Sequence, residues 1–316
     1  MDVSLAIVIP AYKGSFFREA LNSLANQTNK NFRVYVGDDS SPDDIGAVCK
    51  IFDNDIDIVY KRFSENVGRE SLIKQWNRCV SLACEPWVCL FSDDDVMAPE
   101  CVELFYQAIE ANADENIFRF NTQVIDAEGE LLRNTVAHPE REYSKDFVLA
   151  RLTGNRDSFV SEYIFKREIY NKYDGFVDFP AAWCADDATW VCFSEGKGIS
   201  VIDGAKVGWR LSDDNITAVK SSFAHQKIVA SLEYLDWLDT NIFNERGIAL
   251  NERNVFLKEG KNWFLRHLWR MSPWLSIAEA IYVKRKMSEL FNENIFSVLK
   301  ILLKNNIRHV SRKLKS

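Results

Sequence analysis

Over the first 111 residues, short apolar runs alternate with stretches of helical periodicity. Leu5-Ala6-Ile7-Val8-Ile9 is a continuous apolar run ending at Pro10-Ala11-Tyr12, which predicts a buried strand. Phe17, Ala20, Leu21 and Leu24 follow at helical spacing. Phe32 to Val36 alternates and stops at Gly37-Asp38-Asp39-Ser40-Ser41-Pro42. A short helix is expected over Asp43 to Phe52 and a third strand over Asp57 to Arg62. After Glu65-Asn66-Val67-Gly68-Arg69 a helix is expected from about Glu70 to Ala83. Trp87 to Phe91 predicts a fourth buried strand, stopped by three consecutive carboxylates, Asp93-Asp94-Asp95. Pro99 then suits the first turn of a helix running to Ala111. Strand and helix repeated four times predict an α/β chain with a parallel sheet covered on both faces.

Beyond Ala111 the pattern changes. Ile117 to Ile125 reads as a strand and Asp126-Ala127-Glu128-Gly129 as a hairpin turn. Ser158 to Phe165 alternates like another strand, so the sheet is expected to be mixed. Gly175 to Trp190 reads as a loop entering a helix, rich in Phe176, Phe179, Trp183 and Trp190, with Asp186 and Asp187 inside it. Gly198 to Ile202 and Lys206 to Trp209 predict two short strands, and Ser222 to Leu238 a helix. Arg210-Leu211-Ser212-Asp213-Asp214-Asn215 brings polar groups back after the last strand.

Composition sharpens this picture in three ways. The 316 residues are 47% hydrophobic and 27% charged, enough for one large domain or two smaller ones. The N-terminus enters its first apolar run without a basic segment or a small-residue cleavage site, so it is expected to be a strand, not a signal peptide. Seven cysteines, an odd number without Cys-x-x-Cys spacing among Cys79, Cys84, Cys89 and Cys101, point to reduced core thiols in a cytosolic protein. His138, His225, His267 and His309 have no ligand spacing. From Lys258 to Ser316 there are 13 basic and 4 acidic residues, against 26 and 42 in the remainder. An acidic body thus carries a basic tail, and the acidic body argues against a nucleic-acid partner.

In a parallel sheet, ligands bind beyond the carboxyl ends of the strands. The four strands deliver Tyr12, then Asp38 and Asp39, then Asn66 and Arg69, then Asp93 to Asp95. A carboxylate can accept a base N–H, and a divalent cation on carboxylate oxygens can hold phosphates, so the set suits a nucleotide diphosphate. Each piece also has a structural reading. The triplet suits a helix N-terminus, Asp38 to Asp43 a capped turn, Arg69 a solvated helix face, and Asp186-Asp187 an N-cap pair. Trp183 and Trp190 suit a stacked sugar or a packed core.

Taken together, Pro10-Ala11-Tyr12, Gly37-Asp38-Asp39-Ser40-Ser41, Asn66-Val67-Gly68, Ser92-Asp93-Asp94-Asp95 and Ala185-Asp186-Asp187-Ala188-Thr189-Trp190 resemble the ordered motifs of the family 2 glycosyltransferases. The resemblance covers roughly residues 3 to 215. It implies a GT-A fold, a Rossmann-like mixed sheet flanked by helices, here with a helical C-terminal extension. It implies that Pro10, Ala11 and Tyr12 line the nucleotide site, with Asn66 beside it. Asp39 and Asp38 would accept from the base, uracil in the first instance, and Arg69 would approach the diphosphate. Asp93 would face the ribose, Asp94 and Asp95 would bind Mn²⁺ or Mg²⁺, and Asp187 would be the general base. Asp186, Trp183 and Arg210 would lie toward the acceptor. Two departures stand out. Ser92 replaces a frequent acid, leaving one fewer carboxylate for the metal, and the acceptor motif is Asp-Asp where Glu-Asp is usual.

The implied activity is inverting, metal-dependent transfer of a hexose from a nucleotide-diphosphate sugar, a UDP-sugar, to a saccharide or lipid-linked saccharide in polysaccharide assembly. A non-catalytic nucleotide-sugar-binding module is the alternative from another class. A nucleotidyltransferase is the alternative enzyme, but it would need a Gly-rich, basic phosphate loop near the first strand, and Lys13-Gly14-Ser15 is too little for one. The expected division is 1–218 catalytic (1–112 for the nucleotide, 113–218 for the acceptor) and 219–316 a basic helical extension. No stretch has 18 uncharged apolar residues, so no span is expected. The tail interleaves Trp263, Phe264, Leu268, Trp269 and Trp274 with Lys261, Arg266 and Arg270, then adds Lys284-Arg285-Lys286, Arg308, Arg312, Lys313 and Lys315. That pattern fits an anionic membrane surface or a helical appendage with a solvated basic face. The expected location is the cytoplasm, peripheral to the inner face of the membrane.

Overall fold

The computed structural model describes residues 4–212, 223–243, 250–271 and 276–291. The expectations for Asp213, Asp214, Asn215, Ser222, Trp274, His309, Arg308, Arg312, Lys313 and Lys315 lie outside the described residues.

The chain opens β1 (Leu5–Ala11), α1 (Phe17–Ala25), β2 (Phe32–Asp38), α2 (Ile45–Ile51), β3 (Ile58–Arg62), α3 (Leu72–Val80) and β4 (Trp87–Leu90). It continues through β5 (Val96–Met97), α4 (Cys101–Ala111), β6 (Ile117–Ile125), β7 (Leu131–Asn134), β8 (Arg141–Glu142) and α5 (Ser144–Thr153). Next come β9 (Tyr163–Lys166), α6 (Arg167–Lys172), α7 (Ala185–Ser194) and β10 (Ile199–Arg210), then α8 (Ala224–Leu238), α9 (Leu250–Met271) and α10 (Ile277–Phe291). One ten-stranded sheet runs β3-β2-β1-β4-β9-β6-β10-β5, with β7 on β6 and β8 on β10. The four strands β3, β2, β1 and β4 are parallel, whereas β9 is antiparallel to both β4 and β6.

The apolar runs become strands because both faces of the sheet are covered. Ile7, Ile9, Val34, Val36, Cys89 and Phe91 lie in one core with Phe105 and Phe118. α1 buries Phe17, Ala20, Leu21 and Leu24, the four positions its spacing marks. Each such side chain contributes ~1.5–3 kcal/mol on burial, Ala excepted. Ser71 caps α3 by accepting from the Lys74 N–H at 3.2 Å, and Asp44 caps α2 from the Ala47 N–H at 2.9 Å.

The second half departs from the pattern in two places. Ser158 to Phe165 is not one strand. A 3₁₀ turn over Val160–Glu162 precedes β9, and the Phe159 N–H donates to the Glu162 carboxylate at 3.3 Å. That local bond competes with a ladder. Conversely, the two short strands expected around 198–209 are one strand, β10. It carries a bulge between Ile202 and Lys206 where Gly204 has φ +96°. Six of the seven cysteines are buried or half-buried, but Cys84 is exposed at the end of α3's turn, which corrects its placement in the core.

The chain forms two compact units, discontinuous in sequence. The first comprises 1–147, 156–177 and 189–212, and the second 148–155, 178–188 and 213–316. The first contains the whole sheet. In the second, α8 packs on α9 and α10 through Ile228, Leu232, Leu235, Phe256, Phe264, Leu268, Val283 and Met287, all buried. Tyr234 of α8 meets Trp263 of α9 edge-on at 5.9 Å.

Candidate active site

The first unit gathers its acids at the carboxyl ends of β2 and β4. Asp38 ends β2 and is fully buried. Its carboxylate accepts from the Tyr60 hydroxyl at 2.6 Å, Arg62 Nη1 at 2.8 Å and the Ser41 N–H at 2.8 Å. Asp39 accepts the N–H groups of Val67 and Gly68, both at 2.8 Å, and pairs with Arg78. Asp39 therefore pins the Asn66-Val67-Gly68 loop. A Cβ on Gly68 would meet Asp39 Oδ2 at 2.5 Å, so the close approach of loop and carboxylate requires glycine. Arg78 is fixed in turn by stacking over Phe63 at 3.8 Å. Asn66 accepts from the Arg69 N–H at 2.9 Å, and Arg69 itself is exposed.

At the end of β4, the three acids have three different environments. Asp93 Oδ2 accepts the N–H groups of Tyr12 and Lys13 at 2.8 and 2.9 Å, which ties the end of β4 to the end of β1. Burial nonetheless holds its carboxyl above the usual range. Asp95 is fully buried, and both its oxygens are engaged. Oδ2 accepts from the Ser161 hydroxyl at 2.5 Å and Oδ1 from the Arg210 N–H at 2.9 Å. Burial pushes its carboxyl up to about 6 against those bonds. Asp94 lies between them, 9% exposed, with no donor hydrogen-bonded to its carboxylate among the described residues. Burial first, then the charges of Asp95 and Asp93, push it up to about 7. Pro10 and Ala11 close the last turn of β1, and Tyr12 is exposed beside them.

Arg210 is brought to the same place but faces inward. Its Nε donates to the Asp94 carbonyl at 2.8 Å, Nη1 to the carbonyls of Asp126 and Ala127, and Nη2 to Glu19 at 2.6 Å. Its guanidinium also lies 4.5 Å over the Phe16 ring. Fully buried, it braces the β4 end against β6 and α1.

A hard divalent cation takes oxygen ligands and offsets crowded negative charge. Asp94 fits such an ion, being a desolvated carboxylate among like charges. Asp95 has each oxygen hydrogen-bonded already, to Ser161 and to the Arg210 N–H, which leaves it fewer lone pairs for an ion than Asp94. Among the described residues no three His, Cys, Asp or Glu side chains gather into a ligand cluster. Any such ion would draw most of its ligands from phosphate and water.

The second unit holds the other acidic pair, at the start of α7. A tight turn leads into it, with Ala181, Ala182 and Cys184 at φ +56°, +53° and +64°. Asp187 is 3% exposed, and Arg151 Nε donates to both its oxygens, at 3.0 and 2.8 Å. Successive helical residues point about 100° apart. Asp186 therefore faces away from Arg151's grip, partly buried, with no side-chain hydrogen bond among the causes of its shift. Burial first, then the charge of Asp187, push its carboxyl up to about 7. Trp183 is half-buried. Its Nε1 donates to Ser231 at 3.1 Å, and Lys227 Nζ sits 4.8 Å from its ring. Trp190, in the first unit, is fully buried and stacked on Tyr163 at 4.3 Å, which makes it a core residue.

Sequence reasoning missed Ser161, Arg78 and Arg151. Each acts across a long chain separation, and no local pattern marks such a partner.

The parallel half-sheet with acids at its strand ends, extended by mixed strands, defines a GT-A glycosyltransferase fold. Residues 6–173 match the family described as Glycosyl transferase family 2, and the chain belongs to that family. Glycosyltransferase GlyG of Streptococcus pneumoniae is 28% identical over 114 residues, 35% of this chain and 36% of GlyG. The match thus spans about a third of that relative's length. The GalNAc(5)-diNAcBac-PP-undecaprenol β-1,3-glucosyltransferase of Campylobacter jejuni is 22% identical over 245 residues, 75% of each chain. Among solved structures, S. aureus TarS 1-349 in complex with UDP-GlcNAc superposes with a TM-score of 0.57 at 17% identity, covering 92% of this chain and 89% of that one. No helix of the described residues is long and apolar enough to cross a membrane.

Proposed function

We propose that this protein moves a hexose from a nucleotide-diphosphate sugar, a UDP-sugar, to a saccharide acceptor with inversion at the anomeric carbon. The observation that carries the reading is Asp94, a buried carboxylate at the end of β4 without a hydrogen-bonded donor among the described residues, in a family 2 chain. Asp94 would hold a divalent cation, which when bound would neutralise charge on the departing diphosphate. Asp93 would set the turn against which the ribose lies. Asp39 and Asp38 would shape the base site, and Arg69 would reach the diphosphate from its exposed position.

The acceptor hydroxyl oxygen bonds to the anomeric carbon as the bond from that carbon to the diphosphate oxygen breaks, and the electron pair leaves on the diphosphate. A carboxylate takes the hydroxyl proton. Resemblance points to Asp187 for this role, but Arg151 spans both oxygens of Asp187. Asp186 is the better base. No side chain is hydrogen-bonded to its carboxyl among the described residues, and a carboxyl near 7 suits proton transfer at neutral pH. Trp183, beside Asp186 in sequence, would flank the acceptor.

A lipid-linked saccharide is the acceptor class favoured by the Campylobacter relative, whose name specifies a polyprenol-linked substrate. Basic residues on α9 and beyond would bring the enzyme to an anionic membrane, making it a peripheral cytoplasmic protein. Sedimentation with anionic vesicles that survives neutralising Lys258, Lys261, Arg266 and Arg270 would exclude α9 from that contact.

The testing experiment is thermal stabilisation by UDP, GDP, CMP and dTDP, each with and without Mn²⁺. UDP is expected to raise Tm most, and more with Mn²⁺. No shift with any nucleotide removes the donor site and leaves a non-catalytic module. Asp186→Asn is expected to keep the UDP shift and lower turnover roughly a thousandfold.

A further inference from the structure

We propose that the Arg151–Asp187 ion pair is a positioning device that sets the proton affinity of Asp186, and with it the pH range of sugar transfer. This rests on the transferase reading above, in which Asp186 takes the acceptor proton. The pair is built for the purpose. Arg151 Nε reaches both oxygens of Asp187 at 2.8 and 3.0 Å, so the carboxylate is held flat against the guanidinium and cannot turn toward Asp186's side of the helix. Asp187 is 3% exposed, and a guanidinium stays protonated at every relevant pH. The neighbour of Asp186 is therefore a fixed, compensated charge.

Among the described residues, the ionisable side chains that interact electrostatically with Asp186 are four. On its own helix there is Asp187, on α5 Arg151, on α8 Tyr234, and in the preceding turn Cys184. Tyr234 and Cys184 are held well above their ordinary values by burial and by the acids, so both stay neutral. Burial and the charge of Asp187 raise the proton affinity of Asp186, and the charge of Arg151, together with the main-chain N–H groups of Asp187 and Asp186, lowers it. Among the described residues the buried Tyr234 hydroxyl has no hydrogen-bond partner. The left-handed turn Ala181–Cys184 fixes where α7 begins and hence which acid meets Arg151.

The two partners must then act with opposite sign. Removing Arg151 leaves Asp187 uncompensated, raises the affinity of Asp186 for its proton, and moves the acid limb of activity to higher pH. Removing Asp187 leaves the Arg151 cation beside Asp186 and moves the limb to lower pH. A close charge shifts a neighbour by roughly one pH unit or more. Removing both returns the limb toward that of the wild type.

The experiment compares wild type, Arg151→Met, Asp187→Asn, the double variant and Arg151→Lys in the full chain. One readout is nucleotide release from UDP-Glc, UDP-GlcNAc and GDP-Man against pH. The other is the ¹³C carboxyl titration of Asp186 by NMR. Expected are midpoints displaced up, down, near zero and near zero, in that order, by both readouts. If Arg151→Met does not fold, because it buries an unpaired Asp187, Asp187→Asn and the double variant decide. An Asp186 midpoint that is unmoved, or moves the same way in both single variants, overturns the proposal. NMR midpoints that move as expected without nucleotide release in any variant support the ion-pair role and sink the transferase reading. Release with unmoved midpoints does the reverse.

Discussion

Asp39 follows β2 and Asp94 follows β4, in one parallel half-sheet, and both are nearly out of solvent. Asp39 is met by two main-chain N–H groups and by Arg78. Asp94 is met by two more carboxylates. Burying a charge with donors stabilises a loop, whereas burying one with like charges creates a place for an external cation. The acidic runs repeat this division internally. Asp95 is tied to Ser161 and Arg210 while Asp94 is open, and Asp187 is tied to Arg151 while Asp186 is open. In each run the tied acid is held by a distant partner, and in the proposed reading the other does the chemistry.

The largest effect expected from this contrast is on activity. Asp94→Asn should lower transfer roughly a thousandfold, the several kcal/mol that charge stabilisation supplies, while leaving Tm equal or higher. Retained turnover would leave Asp94 as an acid with no task and break the contrast. Asp39→Ala should do the opposite, costing about 3 kcal/mol in urea denaturation because Arg78 and two N–H groups lose their acceptor. An unchanged midpoint would mean that the Asn66–Gly68 loop is held by something else. Gly68→Ala sharpens the same point. Its new methyl must displace Asp39, at about 1–2 kcal/mol.

The smallest effect is in stability against pH. The folded carboxyl of Asp186 is raised to about 7 from an ordinary value of 3.8, so the folded state binds this proton more tightly than the unfolded chain does. That contribution is fully present below about pH 4 and is lost as pH rises through about 7. Asp186→Asn should therefore raise Tm at pH 8 and change it little at pH 4. An equal change at both values would mean that Asp186 is not desolvated in the fold.

Much of the first half was legible. The runs at Leu5, Phe32 and Trp87 and the helical spacing of Phe17, Ala20, Leu21 and Leu24 are local patterns, and local patterns decide whether a segment is strand or helix. The second half was less so. The bulge at Gly204 joins what read as two strands, and the 3₁₀ turn before β9 shortens what read as one. Both are settled by what the segment packs against. Ser161 must face Asp95, 66 residues away in sequence, and a regular strand from Ser158 would not provide that turn.

The sequence by itself determined the order of strands and helices, and that acids would stand at the ends of β2 and β4. Hydrophobic period and chain breakers act over a few residues and need no partner. Only the tertiary structure decided which acid in each run is free. Arg210 reaches the Asp95 carboxylate across 115 positions and Arg151 reaches that of Asp187 across 36. The state of a carboxylate depends on the donors and charges within a few ångströms, and those come from wherever the fold brings the chain back.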